Sequence, residues 1–203
     1  MFLASDLIRS RCVTDGLIKS YAPENVKQAS YDLRLGPASY VVGDGAPIHL
    51  TENQRYVTIA PGQFALLTTL EELAIPSDLL AFITLRNTFK MQGLINVSGF
   101  HVDPSYEGKL VFGVNNIGPS DICLRLGEPT FTIFFCRVDG TINGARPPFR
   151  DELPLQYVQL LGGSSITLSK LQAELEDLRK KMLLYAPLGI ALLIALILNL
   201  MKK

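Results

Sequence analysis

Few residues able to do chemistry are grouped together in this sequence. It has two histidines, His49 and His101, each of which reads as a lone surface or core imidazole, and three cysteines, Cys12, Cys123 and Cys136. An odd cysteine count without C-x-x-C spacing argues against a disulfide framework or a zinc site. Cys123 and Cys136 sit in apolar, strand-like runs and are expected to be buried thiols, which suits a reducing compartment. Neither a G-x-x-x-x-G-K-[ST] loop nor a G-x-G-x-x-G turn follows a strand-like run, which argues against phosphate binding of those kinds. Two short segments remain. One opens on Arg86, whose guanidinium forks onto oxyanions, and continues with Asn87 and Thr88. The other, Val102-Asp103-Pro104-Ser105-Tyr106-Glu107-Gly108, sets a carboxylate and a phenol around a proline turn. Each also has a plain structural reading: Arg86 as an ion-pair partner, Asp103 as an ordinary turn residue, Tyr106 as a core or interface ring.

The elements that must position these residues are mainly β. From about Arg55 to Asp139 apolar residues alternate with polar ones at Val57 and Ile59; Phe64, Leu66 and Thr68; Leu110, Phe112 and Val114; Ile122, Leu124 and Leu126; and Phe131, Ile133 and Phe135. Period-two alternation broken every eight to twelve residues by Pro61-Gly62, Pro76-Ser77-Asp78, Pro104-Ser105 and Gly118-Pro119 predicts an antiparallel sandwich or barrel. One helix is expected in this head, from Ser5 as N-cap to Gly16 as stop, with Leu7, Ile8 and Cys12 on its buried face. The formal net charge is +0, and Lys/Arg clusters are absent from the first 160 residues, so no nucleic-acid partner is expected.

The order of motifs resembles that of the dCTP deaminases and, more distantly, the trimeric dUTPases. Ser5-Asp6-Leu7-Ile8, Asp15-Gly16 and Gln28-Ala29-Ser30-Tyr31-Asp32-Leu33-Arg34-Leu35-Gly36 are similar to the deaminase opening. Pro61 to Leu66 is similar to the next strand, and Glu71 to Pro76 to the turn after it. Leu85 to Leu94 aligns with a phosphate segment, R-S-S-x-x-R-x-G-[LI]; Val102 to Gly108 resembles a D-x-x-[YFW]-x-G turn; Gly127 begins the closing strand. The likeness spans about Met1 to Val138. It implies a jelly-roll-like β-barrel head, residues 1–160, assembled as a homotrimer with sites between subunits that hold a pyrimidine deoxynucleotide triphosphate and Mg2+. Arg86, Asn87, Thr88 and Tyr106 would then bind nucleotide and phosphate, with Tyr106 against the sugar; Asp103 would position an attacking water; Asp32 and Arg34 would be architectural. No metal site of the protein's own is implied. The pattern also departs from the family. The position of the deaminase glutamate falls on Gly113, which cannot move a proton. The second phosphate-segment Arg falls on Met91, with Lys90 on the opposite face if the segment is extended, and the closing-strand Gln falls on Thr132.

Beyond the head the composition changes. Gly162-Gly163-Ser164-Ser165 ends a hinge at 161–165. Leu168, Leu171, Leu175, Leu178 and Met182 follow a/d heptad spacing, with Glu174 and Arg179 at flanking g and e positions, which predicts a short coiled-coil stalk at 166–181. Residues 182–201 are almost wholly apolar, and about 20 helical residues cover about 30 Å, a bilayer's hydrocarbon core. A single-pass membrane helix near the chain's end, with no signal peptide ahead of it, would leave the head in the cytoplasm. Three functions fit: a membrane-anchored, deaminase-inactive module that binds or senses a pyrimidine-type nucleotide; a dUTP diphosphatase or dCTP deaminase-type hydrolase; and a non-catalytic oligomeric membrane scaffold or pore-forming effector.

Overall fold

Residues that alternate in the sequence alternate in burial, and this is what builds the sheet. In a computed structural model, which describes residues 1–43, 45–140, 142, 153, 155–161 and 168–201, the chain divides into two units, Met1–Ser165 and Ile166–Lys203.

The first unit opens with helix α1 (Ser5–Thr14) and strands β1 (Ile18–Lys19), β2 (Tyr31–Val41), β3 (Ile48–His49), β4 (Tyr56–Ile59), β5 (Phe64–Ala74) and β6 (Leu79–Leu85). It continues through the helical turn α2 (Asn87–Lys90), β7 (Leu94–Asn96), β8 (His101–Val102), β9 (Glu107–Asn116), β10 (Ile122–Arg125), β11 (Pro129–Arg137) and helix α3 (Leu155–Leu160). A curled nine-stranded sheet runs β7-β9-β5-β2-β11-β6-β8, with β1 paired to β5 and β3 to β2, while β10 and β4 pair separately. Every strand pairing is antiparallel. The inward side chains of β5, β9 and β11 meet in one core, where the rings of Phe112 and Phe131 stack with centroids 3.9 Å apart. The mainly β head with a short N-terminal helix is as the sequence predicts.

Several details differ from expectation. Ala4, not Ser5, is the N-cap of α1, and Ser5 uses its backbone N–H on the Gln28 carbonyl at 2.8 Å. Ile8 and Cys12 are buried but Leu7 is exposed. Gly16, at φ +65°, does end the helix. Cys123 is exposed and Cys136 half-buried rather than buried, because their strands cover one face only and these thiols lie on the other. The segment after Arg86 is a helical turn, not extended, so Lys90 lies one turn from Arg86 on the same side and donates its N–H to the Arg86 carbonyl at 3.2 Å. Glu71 to Ala74 belong to β5 rather than to a turn.

The N-terminus is stitched alongside β11. Leu3 N–H donates to Phe135 O at 2.9 Å, and Arg137 N–H to Met1 O at 3.0 Å. This seats the Phe2 ring beside Phe82 and Phe134, and Phe82 in turn stacks on Phe100, leaving Phe2 and Phe100 largely exposed.

In the second unit the expected stalk and span form one helix, α4 (Leu168–Leu200), which continues through Pro187. Leu171, Leu175, Leu178 and Met182 are exposed along it. Among the described residues no helix is long and apolar enough to cross a membrane. The side chains at 188, 192, 196 and 199 lie outside that set, so the expected span at 182–201 stands on sequence alone. The hinge at 161–165 falls outside the described residues except for Leu161.

Candidate functional site

A cleft of about 810 Å³ lies where the loop after β7, the β8–β9 turn, β5, β9 and α3 meet. Its walls are largely apolar: Leu66, Val97, Val111, Tyr157, Leu160 and Leu161 among them, with Asp103, His101, Ser98 and Tyr106 as polar groups. An apolar cleft with a few placed polar groups is the usual form of a small-molecule site.

The turn that brings Asp103 and Tyr106 there is dictated locally. Pro104 presets φ for the second turn residue and Ser105 takes φ +62°, while Tyr106 N–H returns to the Asp103 carbonyl at 3.3 Å. That sequence of dihedrals suits a type II turn, in which a non-glycine at the third position carries strain. Tyr106 then donates its hydroxyl to the Lys109 carbonyl at 2.5 Å, which fixes the ring. The Asp103 carboxylate lies 3.3 Å from His101 Nε2, with both side chains about half exposed. His101 is therefore not the lone imidazole that the sequence suggests. The signal that could have placed it is its position two residues before Asp103, since alternate residues of an extended segment share a face.

Gly113 lines the same cleft. A Cβ built on it would stand 3.0 Å from Phe64 Cζ and 3.6 Å from Ser98 Cβ. The tip of the aromatic ring thus crowds a side chain at 113, which fits only where the ring gives by a few tenths of an ångström. The Gly113 carbonyl is spent on the 97–98 loop, accepting from Val97 N–H at 2.8 Å and Ser98 N–H at 3.3 Å. The Ser98 hydroxyl is spent on Asn96 Oδ1 at 2.7 Å. Phe64 was legible as a strand residue, but nothing in the sequence showed that its ring reaches across to β9.

Arg86, Asn87 and Thr88 do not line this cleft. Asp103 continues β8, which pairs with β6 through Ala81↔Val102 and Phe82↔His101, whereas Arg86 follows the other end of β6. At about 3.3 Å per residue the two lie roughly 20 Å apart along the sheet, too far to grip neighbouring groups of one ligand. The Arg86 guanidinium is engaged: Nε lies 3.3 Å from the buried Asp32 carboxylate and Nη1 donates to the Pro129 carbonyl at 3.3 Å. Asp32 also accepts from the Thr132 hydroxyl at 2.9 Å, so the residue in the place of the family's glutamine closes an ion-pair node. Glu107 is held away from the cleft by Lys19 at 2.9 Å.

The Tyr-Asp-Leu-Arg-Leu-Gly run is architectural for reasons the structure makes explicit. Glu71 is fully buried and accepts from Tyr31 Oη at 3.0 Å, Arg34 Nε at 2.6 Å and Arg34 N–H at 2.9 Å. Burial works against the Arg34 charge, but the hydrogen bond and charge of Glu71 hold its pKa above the ordinary value. Burial likewise pushes the Tyr31 phenol up to about 12, aided by the Glu71 charge and opposed by the Ala22 N–H it accepts. A Cβ on Gly36 would fall 2.5 Å from the Thr69 carbonyl oxygen, so only glycine lets β2 pass β5 at that point. Glu71 is the residue that motif reading missed.

A curled antiparallel sheet that carries a D-x-x-Y-x-G turn into an apolar cleft defines the class of the head. A family profile described as dCTP deaminase-like matches residues 2–138, and the chain belongs to that family. It is 33% identical over 134 residues to a dCTP deaminase of Thermococcus kodakarensis, covering 66% of this chain and 82% of that one, and 32% identical over 134 residues to a dCTP deaminase of Pyrococcus furiosus, covering 66% and 81%. Among solved structures, a 2′-deoxycytidine 5′-triphosphate deaminase from Agrobacterium tumefaciens superposes with a TM-score of 0.57 at 20% identity. That match covers 68% of this chain and 49% of the other, and it speaks to the fold.

Proposed function

We propose that the head binds a pyrimidine deoxynucleotide in the cleft beside Gly113 without deaminating it, and that residues 182–201 anchor it to a membrane with the head on the cytoplasmic side. The observation that carries the reading is the Phe64 ring 3.0 Å from where a Cβ at 113 would stand. Deamination needs a group that carries protons to and from the ring, a contribution of about 10²–10⁴-fold, and here position 113 is a glycine with an aromatic edge beside it. Family membership supports a nucleotide as the ligand.

The separation of Arg86 from Asp103 supports a homotrimer, in which Arg86, Asn87 and Thr88 of one copy serve the cleft of another. The aromatic row of Phe2, Phe82, Phe100 and Phe134, with Phe2 and Phe100 exposed, supports the same assembly, since exposed apolar patches mark contact surfaces. The Leu171, Leu175, Leu178 and Met182 face of α4 would join the copies as a short coiled coil. Mg2+ would enter with the phosphates. Among the described residues no three His, Cys, Asp or Glu side chains are grouped to hold a metal, and Mg2+ commonly binds through phosphates, waters and one or two carboxylates; Asp103 suits that part. When bound, the ion would neutralise phosphate charge.

Calorimetry of the full-length chain in detergent with dCTP, dUTP and dTTP plus Mg2+ tests the reading. Binding without ammonia release is expected. No binding by any of the three, or ammonia release from dCTP at a catalysed rate, overturns it. A second reading is favoured by Asp103 lining the cleft 3.3 Å from His101: dUTP diphosphatase activity, with Asp103 positioning the water. Pyrophosphate release that vanishes in Asp103→Asn would establish that activity.

A further inference from the structure

His101 and Asp103 stand two apart on an extended segment, so their side chains share a face, while Val102 between them is buried. Both line the cleft, and His101 Nε2 lies 3.3 Å from Asp103 Oδ1. Each is braced by its neighbours. The His101 ring meets the Phe100 ring at 61° with centroids 5.1 Å apart, and Phe100 stacks in turn on Phe82. The Asp103 backbone is fixed by the turn that follows it, through Tyr106 N–H on its carbonyl at 3.3 Å. A nitrogen donor and an oxygen donor are thus presented together at the cleft surface, each on a side chain about half exposed.

We infer that His101 and Asp103 form a two-donor site for a divalent transition-metal ion, one that ranks Co2+ and Zn2+ above Mg2+. Bonds from a metal to an imidazole nitrogen or a carboxylate oxygen are about 2.0–2.2 Å long. An ion at that distance from both atoms spans the observed 3.3 Å with a bite angle of about 105°, between the octahedral and tetrahedral values. The pair therefore accepts the ion with little movement of either side chain. The imidazole is what discriminates. Mg2+ takes oxygen ligands and gives up its waters reluctantly, whereas a mixed nitrogen and oxygen donor set suits the later first-row metals. Two protein donors leave the other coordination positions open towards the cleft, where phosphate oxygens of a bound ligand can fill them. That bridging role rests on the nucleotide reading above; the metal site on the pair does not. The ion that accompanies the phosphates is then chosen by His101, a residue outside the D-x-x-Y-x-G turn.

The test is calorimetry of the full-length chain in detergent, carrying no histidine tag, with Co2+, Zn2+ and Mg2+ alone and again with dCTP, dUTP or dTTP present. The visible absorption of bound Co2+ gives a second readout. His101→Ala and Asp103→Asn each remove one donor at a half-exposed position, and His49→Ala controls for casual binding to the other imidazole. Co2+ and Zn2+ are expected to bind the parent without nucleotide, more tightly than Mg2+. Their affinity should fall by about tenfold or more in His101→Ala and in Asp103→Asn, since even groups that only support a metal ligand are worth that much. The Co2+ band should vanish in both variants and persist in His49→Ala. Nucleotide should raise the Co2+ affinity of the parent, and Co2+ that of the nucleotide by the same factor. No Co2+ or Zn2+ bound, Mg2+ bound equally well, or a Co2+ band that survives His101→Ala overturns the inference and leaves the nucleotide reading standing. Metal bound by the pair with no nucleotide bound under any condition supports the metal site and overturns the nucleotide reading.

Discussion

At the scale of single residues, Gly113 and Phe64 have to be considered together. A side chain restored at 113 crowds the tip of the Phe64 ring, so its packing is tested together with its chemistry. Gly113→Glu should lower stability by about 1–3 kcal/mol, the usual cost of forcing atoms into a packed site, and release no ammonia from dCTP. Adding Phe64→Ala should relieve the crowding, although it leaves its own gap. Urea unfolding of the three proteins reads this directly, and a single variant as stable as the parent would contradict the packing argument. Half of this pair was legible in the sequence, because a motif position shows which residue is missing. The other half was not, because the contact of Phe64 with position 113 runs between β5 and β9, and alternation reports which face a side chain takes but not how far it reaches. His101 was hidden for a related reason: its partner, Asp103, becomes a neighbour only once the segment is known to be extended.

Among the elements, β2 and β5 carry the most stringent demands. The alternation that revealed β4, β9 and β11 left β2 unread, since its residues are buried on both faces and only Arg34 and Pro37 are half-exposed. The run was visible instead as a motif, and the structure supplies its causes in Gly36, Tyr31, Arg34 and the buried Glu71. This network should make stability depend on alkaline pH. The folded-state pKa of Tyr31, about 12, lies above the ordinary value near 10, so the unfolded chain loses this proton first. The stabilisation is fully present below about pH 10 and is lost as pH rises toward 12. Each tenfold change in proton affinity corresponds to about 1.4 kcal/mol, so the loss reaches about 3 kcal/mol. Tyr31→Phe should flatten the unfolding free energy across that window and lower it at neutral pH. A variant with the parent's alkaline slope would place the titrating group elsewhere.

For the molecule as a whole, the chain divides into two units, Met1–Ser165 and Ile166–Lys203. A proline such as Pro187 is tolerated in an apolar helix of this length, and the structure carries α4 through it. Under the anchoring proposal, a chain truncated after residue 161 should leave the membrane pellet for the supernatant on ultracentrifugation, and the full chain should resist extraction by salt and alkaline carbonate. A full-length protein that salt alone releases would remove the anchor.

The pairing of the first three residues with the end of β11 also bears on how the protein is handled. Met1 is the partner of Arg137, and Phe2 joins the ring row on β6 and β11, so an affinity tag fused ahead of Met1 would emerge directly onto the aromatic patch and screen whatever meets it. Oligomer measurements are better made on material whose purification handle sits elsewhere.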